Sequence, residues 1–111
     1  MKKFAIPVED GQLCAHFGHC QQFVIIQVDN NTMLQPEYLT PPPHEPGLLP
    51  AWLGQHGVTN IIAGGIGQKA ISLFNQQNIE VTVGAQPKSP HELVADWLSN
   101  SLVSGANACD H

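Results

Sequence analysis

The chain has 111 residues, of which 42% are apolar and 12% charged, and its net charge is -5. That length holds one domain with a real core. The negative balance, with Lys2, Lys3, Lys69 and Lys88 scattered and no arginine, sets the field against nucleic acid and anionic membrane surfaces.

Lys3–Val8 is a short apolar run and reads as a first strand, followed by a polar loop over 9–22. Phe23–Val28 is rich in β-branched residues and reads as a second strand. Asp29-Asn30-Asn31 is a turn signal, closing a hairpin to a third strand over Met33–Thr40. Pro36 confines that strand to a sheet edge. The run Pro41-Pro-Pro-His-Glu-Pro-Gly47 excludes regular structure. Leu48–His56 predicts a short helix with Pro50 in its first turn and Gly57 as its stop.

Thr59–Ala63 predicts a buried fourth strand running into Gly64-Gly65-Ile66-Gly67. Gln68–Gln77 places Ala70, Ile71 and Phe74 on one helical face, and Ile79–Val83 predicts the last strand. Ser89-Pro90-His91-Glu92 is a capping box with proline at the first helical position. It opens a helix whose apolar stripe is Leu93, Val94, Trp97 and Leu98, expected to end at Gly105.

The order is βββαβαβα: a single α/β domain over residues 1–111 with a mixed sheet, whose second strand runs antiparallel to the rest. Such a topology sends loops 9–22, 41–47, 64–67 and 84–89 to one carboxyl edge, where open α/β sheets bind ligands.

No segment approaches the roughly 20 apolar residues of a spanning helix, so no membrane partner is expected. The apolar run after Lys2-Lys3 ends at Glu9-Asp10, too short for the 7–15 or so residues of a signal-peptide core, which points to the cytoplasm. Three cysteines in a reducing compartment point to thiols or metal ligands rather than structural disulfides.

The chemistry-bearing residues fall in two short stretches. Cys14-Ala-His16-Phe-Gly-His19-Cys20 occupies the first long loop, and Cys109-Asp-His111 closes a tail over 105–111. Thiolate with imidazole suits zinc, copper, iron and iron-sulfur species. The absence of Cys-x-x-Cys pairs argues against a closed structural zinc site. His44, in the proline-rich loop, is a further candidate ligand beside the same edge. Gly64, Gly65 and Gly67 offer backbone amides that would cradle an anion, with Lys69 as counter-charge. The same stretch formally matches a dinucleotide fingerprint at Gly65-Ile-Gly67-Gln-Lys-Ala70, but it follows the fourth strand and lacks the downstream acidic partner. His56 reads as a helix C-terminal cap, His91 as an exposed residue, and Trp52 and Trp97 as core.

These features resemble the dinitrogenase iron-molybdenum cofactor biosynthesis family. The resemblance covers essentially the whole chain. It rests on Ala5-Ile-Pro-Val8, His16-Phe17-Gly18, Phe23, Gly57-Val58, Gly64-Gly65-Ile66-Gly67 with Ala70 and Phe74, Val81–Ala85, and Asn107-Ala-Cys109-Asp-His111. It implies a ribonuclease-H-like α/β fold and a small nitrogen-fixation-related protein that binds, carries or inserts a metal-sulfur cluster containing molybdenum, iron or both. It also implies cluster binding by His16. The partners it implies are the metallocluster or its precursor and a cluster donor or acceptor protein.

No nucleophile, base and acid can be placed together, so turnover is not expected. A metal- or redox-sensing module using Cys14, Cys20 and Cys109 as thiols is an alternative of another class. A ribonuclease-H-like hydrolase is a third, opposed by the absence of acidic residues within the first and fourth strands.

Overall fold

A computed structural model of the chain describes residues 2–14, 22–41, 48–86 and 88–99. In chain order the strands are β1 Lys2–Glu9, β2 Gln12–Leu13, β3 Gln22–Asp29, β4 Thr32–Met33 and β5 Glu37–Leu39; helix α1 Leu48–Gln55 precedes β6 Asn60–Ile62. Helix α2 Gln68–Gln76, β7 Glu80–Thr82 and helix α3 Pro90–Leu98 complete the order. Among the described residues the result is a mixed α/β domain with one sheet and three helices.

The sheet runs β4-β3-β1-β6-β7, with β5 also on β3 and β2 also on β1. β1 is antiparallel to β3 over Lys2↔Val28 to Val8↔Gln22, and parallel to β6 at Phe4↔Asn60 and Ala5↔Ile61. β6 and β7 are also parallel. The expected orientations hold for the five expected strands, with β3 reversed; the short β2, which was not expected, is also antiparallel to β1.

The two short elements around β3 have local causes. Asn30 and Asn31 sit at φ 52° and 62°, so the β3–β4 connection is a two-residue turn with both central residues left-handed. That is the type I′ geometry that matches strand twist, and asparagine tolerates it. The outer strand expected over Met33–Thr40 is split at Leu34-Gln35-Pro36. Its register on β3 slips by one residue between Val28↔Met33 and Phe23↔Leu39, the mark of a bulge. Proline lacks the N–H a ladder needs, so the break falls where the sequence forbids pairing.

Alternation of side chains along the strands divides the core. Ala5, Phe23, Ile25 and Ile61 pack with Leu49 and Leu53 of α1 and Phe74 of α2 on one face. Phe4, Ile6, Val8, Val24, Ile26 and Val28 pack with Leu93 and Val94 of α3 on the other. Phe4, Phe23 and Phe74 are wholly buried. Trp97 meets Phe4 edge-on at 5.0 Å, and Trp52 meets Phe23 at 6.0 Å, so both tryptophans serve packing as expected.

α1 ends at Gln55, and Gly57 just beyond it, at a φ of 77° that suits glycine, marks the stop. α3 starts as the capping box predicts: the Glu92 amide donates to Ser89 Oγ at 3.4 Å. It ends earlier than expected, at Leu98 with Ser99 as its C-cap, where the Ser99 hydroxyl donates to the Asp96 carbonyl at 3.2 Å. Gly105, the expected stop, lies outside the described residues.

Candidate functional site at the carboxyl edge

The ends of β1, β6 and β7 point the same way, and β5 ends and β3 begins at that same edge. The chain leaves this edge at Cys14 and returns at Gln22; it leaves again after β5 and returns at α1. The intervening residues carry His16, His19, Cys20 and His44. These four, with Cys109 and His111 of the tail, lie outside the described residues. Cys14, Gly64, Gly65 and Gly67 are described and are placed as follows.

β1 has β3 along one side for its whole length and β6 on its other side at Phe4–Ala5. β2 pairs with the far end of that second side, at Val8↔Leu13 and Glu9↔Gln12. The arm of β2 thus continues the line of β6, directly beyond the glycine turn. It exists because Asp10 and Gly11, at φ 55° and 81°, form a second type I′ turn. The expectation of a plain loop over 9–22 missed it, although Asp-Gly is a strong hairpin signal.

Cys14 is 4% exposed, its amide donates to the Pro7 carbonyl at 2.8 Å, and its thiol donates to Glu9 Oε2 at 3.9 Å. Service as a ligand would require the thiol to give up that carboxylate and turn toward the edge.

The glycine turn is held from below. Ile66 is 1% exposed and joins the α1/α2 core, which pins the middle of the turn. The Gly84 amide donates to the Gly64 carbonyl at 2.9 Å, tying the turn to the end of β7. Gly67 is the N-cap of α2 at φ -68°, ψ 150°, with no side-chain cap and no acidic residue in the helix's first turn. A Cβ on Gly67 would meet none of the described residues within 4 Å. Among the described residues, nothing fills the space in front of the positive end of α2, where Gly67 and Lys69 are exposed.

The remaining histidines stand apart. His56 packs edge-on against Trp52 at 5.0 Å, at the opposite edge of the sheet. The cation that caps α1 there is Lys3, whose Nζ donates to the His56 carbonyl at 2.6 Å, rather than His56 itself. His91 is exposed in the first turn of α3. Among the described residues no three His, Cys, Asp or Glu side chains gather as a metal site, and no helix is long and apolar enough to cross a membrane.

The family model described as dinitrogenase iron-molybdenum cofactor matches residues 1–100 of the chain. The uncharacterized protein MJ0580 of Methanocaldococcus jannaschii is 34% identical over 107 residues, covering 92% of this chain and 90% of that protein. Among solved structures, PH0822 superposes with a TM-score of 0.85 at 28% identity, covering 92% of this chain and 93% of its own. The apo form of the orange protein from Desulfovibrio gigas superposes at 0.74 with 24% identity, covering 96% and 95%, a likeness of fold.

Proposed function

The chain belongs to the dinitrogenase iron-molybdenum cofactor family, and we propose that it binds and carries a metal-sulfur cluster containing iron, molybdenum or both, without chemical turnover. Family membership over residues 1–100 is the observation that carries the reading. In this reading the cluster or its precursor is cargo, received from a donor protein and passed to an acceptor in the cytoplasm. The strand order, with β3 reversed between β1 and the outer strand, supports naming the sheet ribonuclease-H-like.

The described geometry suits such cargo. A thiometallate cluster is an anion, and the amides that open α2 have no carboxylate in that first turn and no described side chain packed in front of Gly67. His16 is the principal ligand in this reading, with His19, Cys20, Cys14 and His44 around it and Cys109 and His111 supplied by the tail. Gly64, Gly65 and Gly67 form the cradle. A site made of loops at a sheet edge, open to solvent, suits loading and release better than permanent storage.

The test is anaerobic incubation with iron plus sulfide, and separately with thiomolybdate, then desalting, visible absorption and metal analysis. Wild type is compared with His16→Ala and Cys109→Ala. A stoichiometric coloured species lost in His16→Ala supports the carrier reading and locates the cargo at the first loop. Colour that survives His16→Ala but not Cys109→Ala moves the site to the tail. A colourless wild type ends the cluster reading and leaves simple metal or thiol binding.

A further inference from the structure

The arm that leads into the His16 loop is held from outside the sheet. The Leu13 amide donates to the Lys88 carbonyl at 3.0 Å, which joins β2 to the segment entering α3. Leu13 itself is 5% exposed and shares its core cluster with Ala85, Leu93 and Val94. Lys88 is fixed in turn: its amide donates to the Gln86 carbonyl at 2.8 Å, and its Nζ pairs with Asp96 Oδ2 at 3.2 Å. Asp96 lies almost two turns into α3, so the ion pair lashes the entry segment to the helix body rather than to a neighbour in sequence. Lys88–Asp96 is the ion pair among the described residues, in a chain with four cationic side chains.

We propose that Lys88 and Asp96 are positioning residues for cargo retention: their ion pair sets the Lys88 carbonyl that clamps Leu13, and so fixes the root of the loop bearing His16. The inference rests on the carrier reading. Neither residue touches the cargo. Each acts through the backbone of the arm, whose described backbone ties besides the clamp are the β2 pairing and the Cys14–Pro7 hydrogen bond. The pair's side chains are 39% and 29% exposed, so the clamp is a modest bias on a local opening rather than a determinant of the fold.

The test uses the whole chain with Asp96→Asn, Lys88→Met and the swapped pair K88D/D96K. Hydrogen exchange of the apo protein reads the arm at Leu13 and the sheet at Ala5 and Ile61. Cargo loss is followed by visible absorption after anaerobic loading with thiomolybdate or with iron plus sulfide. The clamp predicts Leu13 exchange and cargo loss that are both about two- to fivefold faster in each single variant, the range expected of a partly exposed pair. Exchange at Ala5 and Ile61 stays unchanged, and the swapped pair restores both rates. In 1 M salt, where charges are screened beyond about 3 Å, wild type and single variants converge.

Unchanged Leu13 exchange in the single variants overturns the inference, as does faster exchange with unaltered cargo loss. Both results leave the carrier reading standing. A wild type that retains no cargo overturns the carrier reading and the inference together.

Discussion

Gly67→Ser separates what the α2 N-terminus does for the fold from what it does for cargo. Gly67 holds φ -68°, ψ 150°, almost the geometry of Ser89 at φ -66°, ψ 151°, which caps α3. A serine at 67 can therefore cap α2 in the same way, its hydroxyl accepting the Ala70 amide as Ser89 accepts that of Glu92. The new Cβ meets none of the described residues within 4 Å. The cap contributes a few tenths of a kcal/mol over glycine, and removing a glycine from the unfolded chain contributes about 0.4–1 kcal/mol. Together these raise stability by roughly 0.5–1.5 kcal/mol, or about 2–6 °C in Tm for a chain of this size. In the proposed carrier reading, the same hydroxyl would occupy the cradle and take up an amide that would otherwise bind the anion. A hydrogen bond to a charged group is worth about 1.5–3 kcal/mol, so cargo loss should accelerate about tenfold or more. Thermal denaturation of the apo protein reads the first effect, and a time course of visible absorption after anaerobic desalting reads the second. A variant with raised Tm and unaltered retention refutes the cradle. A lowered Tm refutes the description of the turn as open.

Phe74→Ala removes a wholly buried ring at the centre of the α1/α2 face and should cost about 3–5 kcal/mol, read as a lowered urea midpoint. Lys3→Met keeps the aliphatic stem but loses the 2.6 Å hydrogen bond to the His56 carbonyl, so it should destabilise by about 1 kcal/mol in the same assay. Asn31 sits at φ 62°, where Asn31→Val should cost about 1–2 kcal/mol by thermal denaturation while Asn31→Gly is neutral or slightly stabilising.

The sheet was legible because its signals were redundant. Phe23–Val28 announced a strand by composition, Asn30-Asn31 a turn by backbone tolerance, and Ser89-Pro90 with Glu92 a helix start by three concordant residues. The convergence of loops at the carboxyl edge then followed from topology, and the flanks Cys14, Gln22 and Gly64–Gly67 stand there. What escaped was short or non-local. The β2 arm has only Gln12 and Leu13 as strand, so no alternation announced it, and only the Asp10-Gly11 pair did. The bulge at Leu34–Pro36 shows only as a slip of register. The tie from Leu13 to Lys88 spans residues distant in sequence through a backbone carbonyl, which carries no side-chain signature.

The shorter α3 changes what the tail can do. A helix continuing to Gly105 would run about 20 Å away from the ligand edge at 1.5 Å per residue, leaving seven residues to return over about 23 Å. α3 instead spans Pro90–Leu98, nine residues and about 13 Å, and delivers the chain near the start of β1, where Trp97 meets Phe4. Cys109 lies ten residue steps beyond Ser99, a covalent reach of up to about 33–36 Å. Reach therefore no longer opposes a single site holding both His16 and Cys109. Shared and separate sites predict different results from combining His16→Ala with Cys109→Ala. Ligands of one cluster fail as a unit, so the double variant retains no less than the worse single variant. Two independent sites give singles that each lose only their own share of the bound metal, and a double variant that loses the sum. Metal per chain in the four proteins decides between them.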